Sequence, residues 1–145
     1  MSAPNPKQSQ SCEYADKSCP CGTETPYASC CGPYHQGSAS PETAEQLMRS
    51  RYSAFALRKV DYLFETTFPS SRGAHLRQEL AEGIDDPVWT SLSVLSTSQG
   101  RKGDKQGKVE FVAHYLLDGK PCAMHERSRF KRYQGAWKYV DGEDL

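Results

Sequence analysis

The sequence predicts an α+β domain, helices packed on one face of an antiparallel sheet, with a small cysteine-rich module in front. Three observations predict it. Apolar residues recur at three- and four-residue spacing up to position 82, strict alternation takes over from position 88, and five of six cysteines fall within the first 31 residues. At 145 residues the chain holds one domain of ordinary size plus an appendage, not two full cores.

Residues 1–11, MSAPNPKQSQS, are polar and proline-bearing, and read as a disordered tail. Residues 12–37, CEYADKSCPCGTETPYASCCGPYHQG, are almost free of aliphatic side chains, so something other than an apolar core must order them. From residue 38 to 145 the texture is that of the α+β domain. Ser40 as N-cap, Pro41 at the first helical position and Glu42 and Glu45 near the positive end of the dipole start a helix over 40–59. Ala44, Leu47, Met48, Tyr52, Phe55 and Ala56 form its apolar stripe. A short helix over 61–67 is closed by Pro69, and a third over 74–82 stops at Gly83. Strands follow over 88–97, 108–117, 122–133 and 136–140, with Asp118-Gly119 and Gln134-Gly135 as hairpin turns and a longer connection over 99–107.

Charge and hydropathy exclude several classes of function. With 18 basic and 18 acidic residues, no global field draws the chain to nucleic acid or anionic lipid. A mean hydropathy of −0.74 and the absence of a long apolar run argue against a membrane span or membrane partner. The first residues lack the apolar stretch of a secretory signal, so a cytoplasmic, reducing location is expected. In such a compartment clustered thiols serve as metal ligands or redox groups rather than as structural disulfides.

Cys19-Pro20-Cys21, an eight-residue spacer and Cys30-Cys31 place four soft ligands in two tight pairs that one loop can bring together. Tetrahedral zinc with four thiolates suits that composition, and iron shares the preference. Gly22 lets the backbone turn close to sulfur and Pro20 stiffens the first arm. A structural zinc supplies roughly 10–16 kcal/mol of apparent binding free energy, enough to replace the missing apolar core. A redox dithiol and unliganded packing thiols are the competing readings. Cys12 and Cys122 read as ordinary, partly buried residues, and His35 is the one alternative ligand nearby.

Cys19-Pro20-Cys21-Gly22, a spacer holding Tyr27, and Cys30-Cys31 together resemble the SEC-C motif at the C-terminus of the SecA translocase motor. That resemblance implies that all four thiols are ligands. Where SEC-C spacers usually carry a Gly-Lys-Lys-like stretch, this chain has Glu24, Thr25 and Pro26, neither flexible nor basic. The strings CCGPYHQG, TAEQLMRSRYSAFALRKVDYL, HERSRF and WKYVDG extend the likeness to the bacterial YchJ-like family of uncharacterised proteins, over nearly all of residues 19–142. The family resemblance implies a SEC-C module over 12–37 followed by a nuclear transport factor 2-like domain over 38–145, a curved sheet wrapped on helices into a cone. By the same analogy, the outer sheet face is a candidate homodimer surface.

On a helical wheel Arg51 falls between Leu47, Met48 and Phe55, in the middle of the apolar stripe. A buried guanidinium needs a partner, and Glu126, sharing a strand face with Met124 and Phe130, is the one expected. That pair is either an architectural link between helix and sheet or the polar end of a ligand pocket walled by Tyr52, Trp89, Phe111 and Tyr115. His114 and His125 lie on neighbouring strands, but no catalytic triad, carboxylate pair, nucleophile elbow or phosphate loop assembles from spacing, and no catalytic residue is assigned. His125, Arg127, Arg129 and Lys131 alternate on the other strand face, either as a solvated surface or as a basic strip for RNA. The leading expectation is a cytoplasmic protein-interaction adaptor presenting Tyr27 and Tyr34 on its zinc module. A small-ligand binder or enzyme using the cone is the alternative, and an RNA- or ribosome-associated factor is the third.

Overall fold

The structure, a computed structural model, describes residues 17–145; the tail expected over 1–11 and Cys12 lie outside the described residues. Four helices precede four strands: α1 Gly32–Gln36, α2 Ala44–Ala56, α3 Val60–Glu65, α4 Leu76–Gly83, then β1 Pro87–Gln99, β2 Gln106–Leu117, β3 Lys120–Tyr133 and β4 Ala136–Asp144. Single 3₁₀ turns at Tyr27–Ser29 and Pro69–Ser71 complete the set.

The main helix starts later than Ser40. Thr43 Oγ1 accepts from the Gln46 N–H at 3.1 Å and Gln46 Oε1 accepts from the Thr43 N–H at 3.2 Å, a reciprocal capping box. Two orphan donors satisfied at once outweigh what Ser40-Pro41 could offer. The helix also ends at Ala56 rather than at residue 59, because Arg58 turns into the left-handed region at φ 60°. The five-residue α1 was not expected; Pro33 opens it and Gly37, at φ 81°, closes it.

The sheet is an antiparallel meander in the order β1-β2-β3-β4. Both expected hairpin turns form, with paired left-handed residues at Asp118-Gly119 (φ 53° and 77°) and Gln134-Gly135 (φ 51° and 85°). Register shifts between Trp89 and Ser91, Val94 and Ser96, and Arg129 and Phe130 bend the strands around the helices. All four strands run longer than expected, most visibly β4, whose polar end pairs Gly142 with Ser128 and Asp144 with Glu126. Backbone pairing carries the strand past the point where the apolar alternation stops.

α2 lies across the inner face, where Leu47, Met48 and Tyr52 meet Val109, Phe111, Ala113, Phe130 and Trp137. A smaller cluster of Ala54, Leu63 and Ile84 holds α3 and α4 against the far side of α2. One end of α2 is pinned by backbone: the Ala44 N–H donates to the Gly100 carbonyl at 2.8 Å, and a Cβ on Gly100 would stand 2.7 Å from that of Ala44. On the outer face the expected basic strip is laced with acids. Glu110 accepts from His125 at 2.8 Å and Arg127 at 3.3 Å, and Asp141 accepts from Arg129 Nε at 2.6 Å. His125, Arg127 and Arg129 therefore each face a carboxylate.

Candidate metal centre and cone cavity

The cysteine segment is a knuckle folded onto α2. An isolated bridge joins Ser18 to Pro26, the Cys19 N–H donates to the Thr25 carbonyl at 2.8 Å, and Gly22, at φ 89°, turns the chain back to donate to the Cys19 carbonyl at 3.1 Å. The 3₁₀ turn at Tyr27–Ser29 and the start of α1 then deliver Cys30 and Cys31 to the same point. Gly32 is required there, since a Cβ would stand 2.7 Å from the Tyr27 carbonyl oxygen.

The sulfurs of Cys19, Cys21, Cys30 and Cys31 all lie within 4.8 Å of one another. Cys21 Sγ is 3.6 Å from Cys30 Sγ, and Cys30 Sγ is 4.0 Å from Cys31 Sγ. A tetrahedron with metal–sulfur bonds of about 2.3 Å has edges of about 3.8 Å, so the two separations straddle the value that a shared ion requires. Cys19, Cys21 and Cys31 are buried and Cys30 is half-buried. Two hydroxyls reach the sulfurs: Thr23 Oγ1 lies 3.1 Å from Cys30 and 3.5 Å from Cys21, and Ser53 Oγ lies 3.4 Å from Cys19; the Thr23 backbone also bonds Cys21. Hydrogen bonds from Cys19 and then Cys31 hold the Cys21 thiol far below its usual range, the bond to Cys19 pushes Cys31 far above it, and burial lifts Cys30 to about 11. Four thiolates crowded this closely repel one another. Full deprotonation calls for a cation in their midst, and the four residues can bind a metal ion.

α2 and α1 brace the knuckle from behind. Arg49 Nη1 donates to the Cys21 carbonyl at 2.7 Å while its Nε meets Glu45 Oε2 at 3.0 Å. His35 is not part of the thiol cluster. Its Nε2–H donates to the Ser50 carbonyl at 2.8 Å, which leaves Nδ1 to accept from the Tyr27 hydroxyl at 2.6 Å. Burial lowers the His35 pKa, in keeping with this neutral tautomer. Cys122, half-buried on β3, also stands apart from the cluster.

On the other side of α2 lies a cavity of about 420 Å³. Its walls include the expected Arg51, Tyr52, Trp89, Phe111 and Glu126, together with Phe55, Leu76, Leu80, Met124 and Tyr139. Tyr115 is not among them; its ring packs behind Trp89, 5.0 Å between centroids. Arg51 and Glu126 share the cavity and Glu126 acts on the guanidinium through space, but no direct ion pair within 4.0 Å joins them. Arg51 Nη1 instead donates to the Leu63 carbonyl at 2.9 Å and Thr66 Oγ1 at 2.7 Å, and its guanidinium lies 4.5 Å from the Tyr139 ring centre. The end of α3 thus reaches the charge before the sheet does, offering carbonyls at the negative end of the helix. Glu126 Oε2 accepts from Ser128 at 2.6 Å. The sequence reading missed Thr66, Thr67 and Tyr139; the adjacent threonines at the end of a short helix were the available signal. His114 is exposed and lies outside the cavity. No helix among the described residues is long and apolar enough to cross a membrane.

Comparison with known proteins agrees with this architecture. A family model for the middle, NTF2-like domain of YchJ matches residues 43–142. The UPF0225 protein YchJ of Shigella dysenteriae is 43% identical over 124 residues, 86% of this chain and 81% of that protein. A UPF0225 protein of Streptomyces coelicolor is 45% identical over 127 residues, 88% of this chain and 95% of that one. The solution structure of a SEC-C motif containing protein from Rhodopseudomonas palustris superposes with a TM-score of 0.80 at 35% identity, covering 88% of this chain and 98% of that one. The crystal structure of a SEC-C motif containing protein from Psychrobacter arcticus gives 0.74 at 28% identity, covering 89% and 83%. With the NTF2-like domain matched over 43–142 and the cysteine cluster in front of it, the chain belongs to the YchJ-like family of SEC-C motif proteins.

Proposed function

We propose that the protein is a small-ligand-binding cone whose cysteine segment, residues 17–37, is held by a structural zinc ion on Cys19, Cys21, Cys30 and Cys31. The observation that carries this reading is that one helix serves both sites. α2 turns Arg49 and Ser53 toward the cysteines and Met48, Arg51, Tyr52 and Phe55 toward the cavity. A volume of about 420 Å³, mostly apolar with a few polar groups, is of the size and character that small molecules occupy. Four thiolates closing a tetrahedron with no open position match structural zinc sites, and iron is the alternative that the same ligand set admits. Unpaired thiols suit a reducing cytoplasm.

Two measurements test the reading together. Elemental analysis should give one zinc per chain, and a visible absorption band with matching iron content would replace zinc by iron. Ala113 lines the cavity and is buried, so Ala113→Leu should fill it and block ligands while leaving metal content unchanged.

A second reading keeps the adaptor role. Thr23, Glu24, Pro26, Ala28 and Ser29 are mostly exposed around a centre that would fix their positions. Tyr27 turns inward onto His35 and Tyr34 is half-buried, so the surface on offer is the loop rather than those rings. Cys30→Ser should then lose a protein that co-purifies with the wild type; a wild type that retains nothing beyond chaperones ends this reading.

A further inference from the structure

The structure assigns the cone cavity to a small amphipathic carboxylic acid, its carboxylate on Arg51 and its apolar chain against Phe55, Leu80, Trp89, Phe111 and Met124. The assignment rests on the cavity being a ligand site and adds what the ligand must be.

Arg51 carries the argument. It is 8% exposed and lines the cavity, with no carboxylate of the described residues within ion-pair distance. Its bonds to Leu63, Thr66 and Thr67 all leave from Nη1, so Nε and Nη2 are uncommitted. Neutral acceptors and the Tyr139 ring hold the group in place without cancelling its charge. Glu126, across the same cavity, acts on this charge only through space; a buried cation without an anion in direct contact is costly by several kcal/mol, and a guanidinium edge with two donors unused among the described residues matches a carboxylate in geometry as well as sign. Both requirements are met by the same ligand group.

One other wall refines the chemistry. Glu126 has one oxygen taken by Ser128, and its carboxyl lies against Gly142, where a Cβ would overlap it. Its remaining acceptor capacity favours an acid that carries a hydroxyl or amino donor beside the carboxylate. Phe55, Leu80, Trp89, Phe111 and Met124 make one wall apolar, which favours an apolar chain over a sugar or nucleotide there.

Isothermal titration of the zinc-loaded full chain with 2-hydroxyoctanoate, octanoate and octan-1-ol tests the assignment. The hydroxy acid should bind tightest and octanoate at least tenfold more tightly than the alcohol. Ala113→Leu should abolish binding of all three. Glu126→Gln should remove the advantage of the hydroxy acid and leave octanoate bound. Arg51→Met should erase the preference of acid over alcohol; if it fails to fold, the Ala113→Leu and Glu126→Gln results decide. Octan-1-ol binding as tightly as octanoate would overturn the carboxylate assignment while leaving the cavity a ligand site. Absence of binding by all three probes, or binding unaffected by Ala113→Leu, would overturn both.

Discussion

Arg49 donates to the Cys21 carbonyl at 2.7 Å, joining the middle of α2 to the backbone of the cysteine knuckle. Glu45, one turn earlier on the same helix, holds the guanidinium at 3.0 Å. A buried carbonyl beside the thiol cluster is thereby satisfied from the folded domain and not from the knuckle itself. Arg49→Ala should cost about 1–2 kcal/mol and speed metal loss to a chelator several-fold, whereas Glu45→Gln should do much less. Stopped-flow release to a chromogenic chelator measures it; equal release rates for wild type and Arg49→Ala would contradict the link.

Gly32 sits where the knuckle enters α1, with no room for a side chain above the Tyr27 carbonyl. Gly32→Ala should destabilise by about 1–3 kcal/mol, because backbone rather than a flexible side chain must give way. Gly37→Ala, with open space around it but at φ 81°, should be affected through strain alone and by less. Denaturant melts of the two variants give the comparison, and a Gly32→Ala chain as stable as wild type would refute the packing argument.

Thr66 and Arg51 act as a unit. Thr66 Oγ1 donates to the Tyr62 carbonyl at 2.7 Å and accepts from Arg51 at 2.7 Å, which ties the last turn of α3 to α2. Thr66→Val removes the acceptor and should cost about 1–3 kcal/mol. Combined with Arg51→Met, the loss should be clearly smaller than the sum of the two single losses, since both remove the same bond. Additive losses in the double variant would show that the contact contributes nothing.

His35 is expected to remain neutral in mildly acidic solution. Burial places its folded-state pKa below the unfolded value of about 6.5, so its contribution to stability is complete above that pH and is lost as pH falls through the folded pKa. NMR titration of the imidazole should show the Nε2–H tautomer at pH 7 and a midpoint below 6.5. A midpoint at or above 6.5 would contradict the buried Tyr27–His35–Ser50 chain of hydrogen bonds.

Much of this architecture was legible in the sequence because local signals agreed with the fold. The alternation of Val109, Phe111, Ala113 and Tyr115 identified β2, and Asp118-Gly119 and Gln134-Gly135 identified the turns between strands. The pairing of Cys19-Cys21 with Cys30-Cys31 was visible because so few apolar residues surround them. The helix start was misplaced because two caps compete: the Thr43–Gln46 capping box, itself written in the sequence, prevails over Ser40-Pro41, and the Ala44–Gly100 backbone bond reinforces it. The partner of Arg51 was misplaced for a related reason. A helical wheel shows that the charge is buried but not which neighbouring element arrives first, and the loop after Leu57 brings α3 closer than β3. Nothing local foretold that Tyr27 turns inward, since that depends on His35 meeting it from α1 while the Ser50 carbonyl on α2 fixes the imidazole.

Metal stoichiometry tests the central claim most directly. Inductively coupled plasma mass spectrometry of purified wild type should find one zinc per chain, and a Cys19→Ser, Cys21→Ser double variant should find essentially none. A wild-type chain that is folded and well ordered yet carries no metal would contradict it.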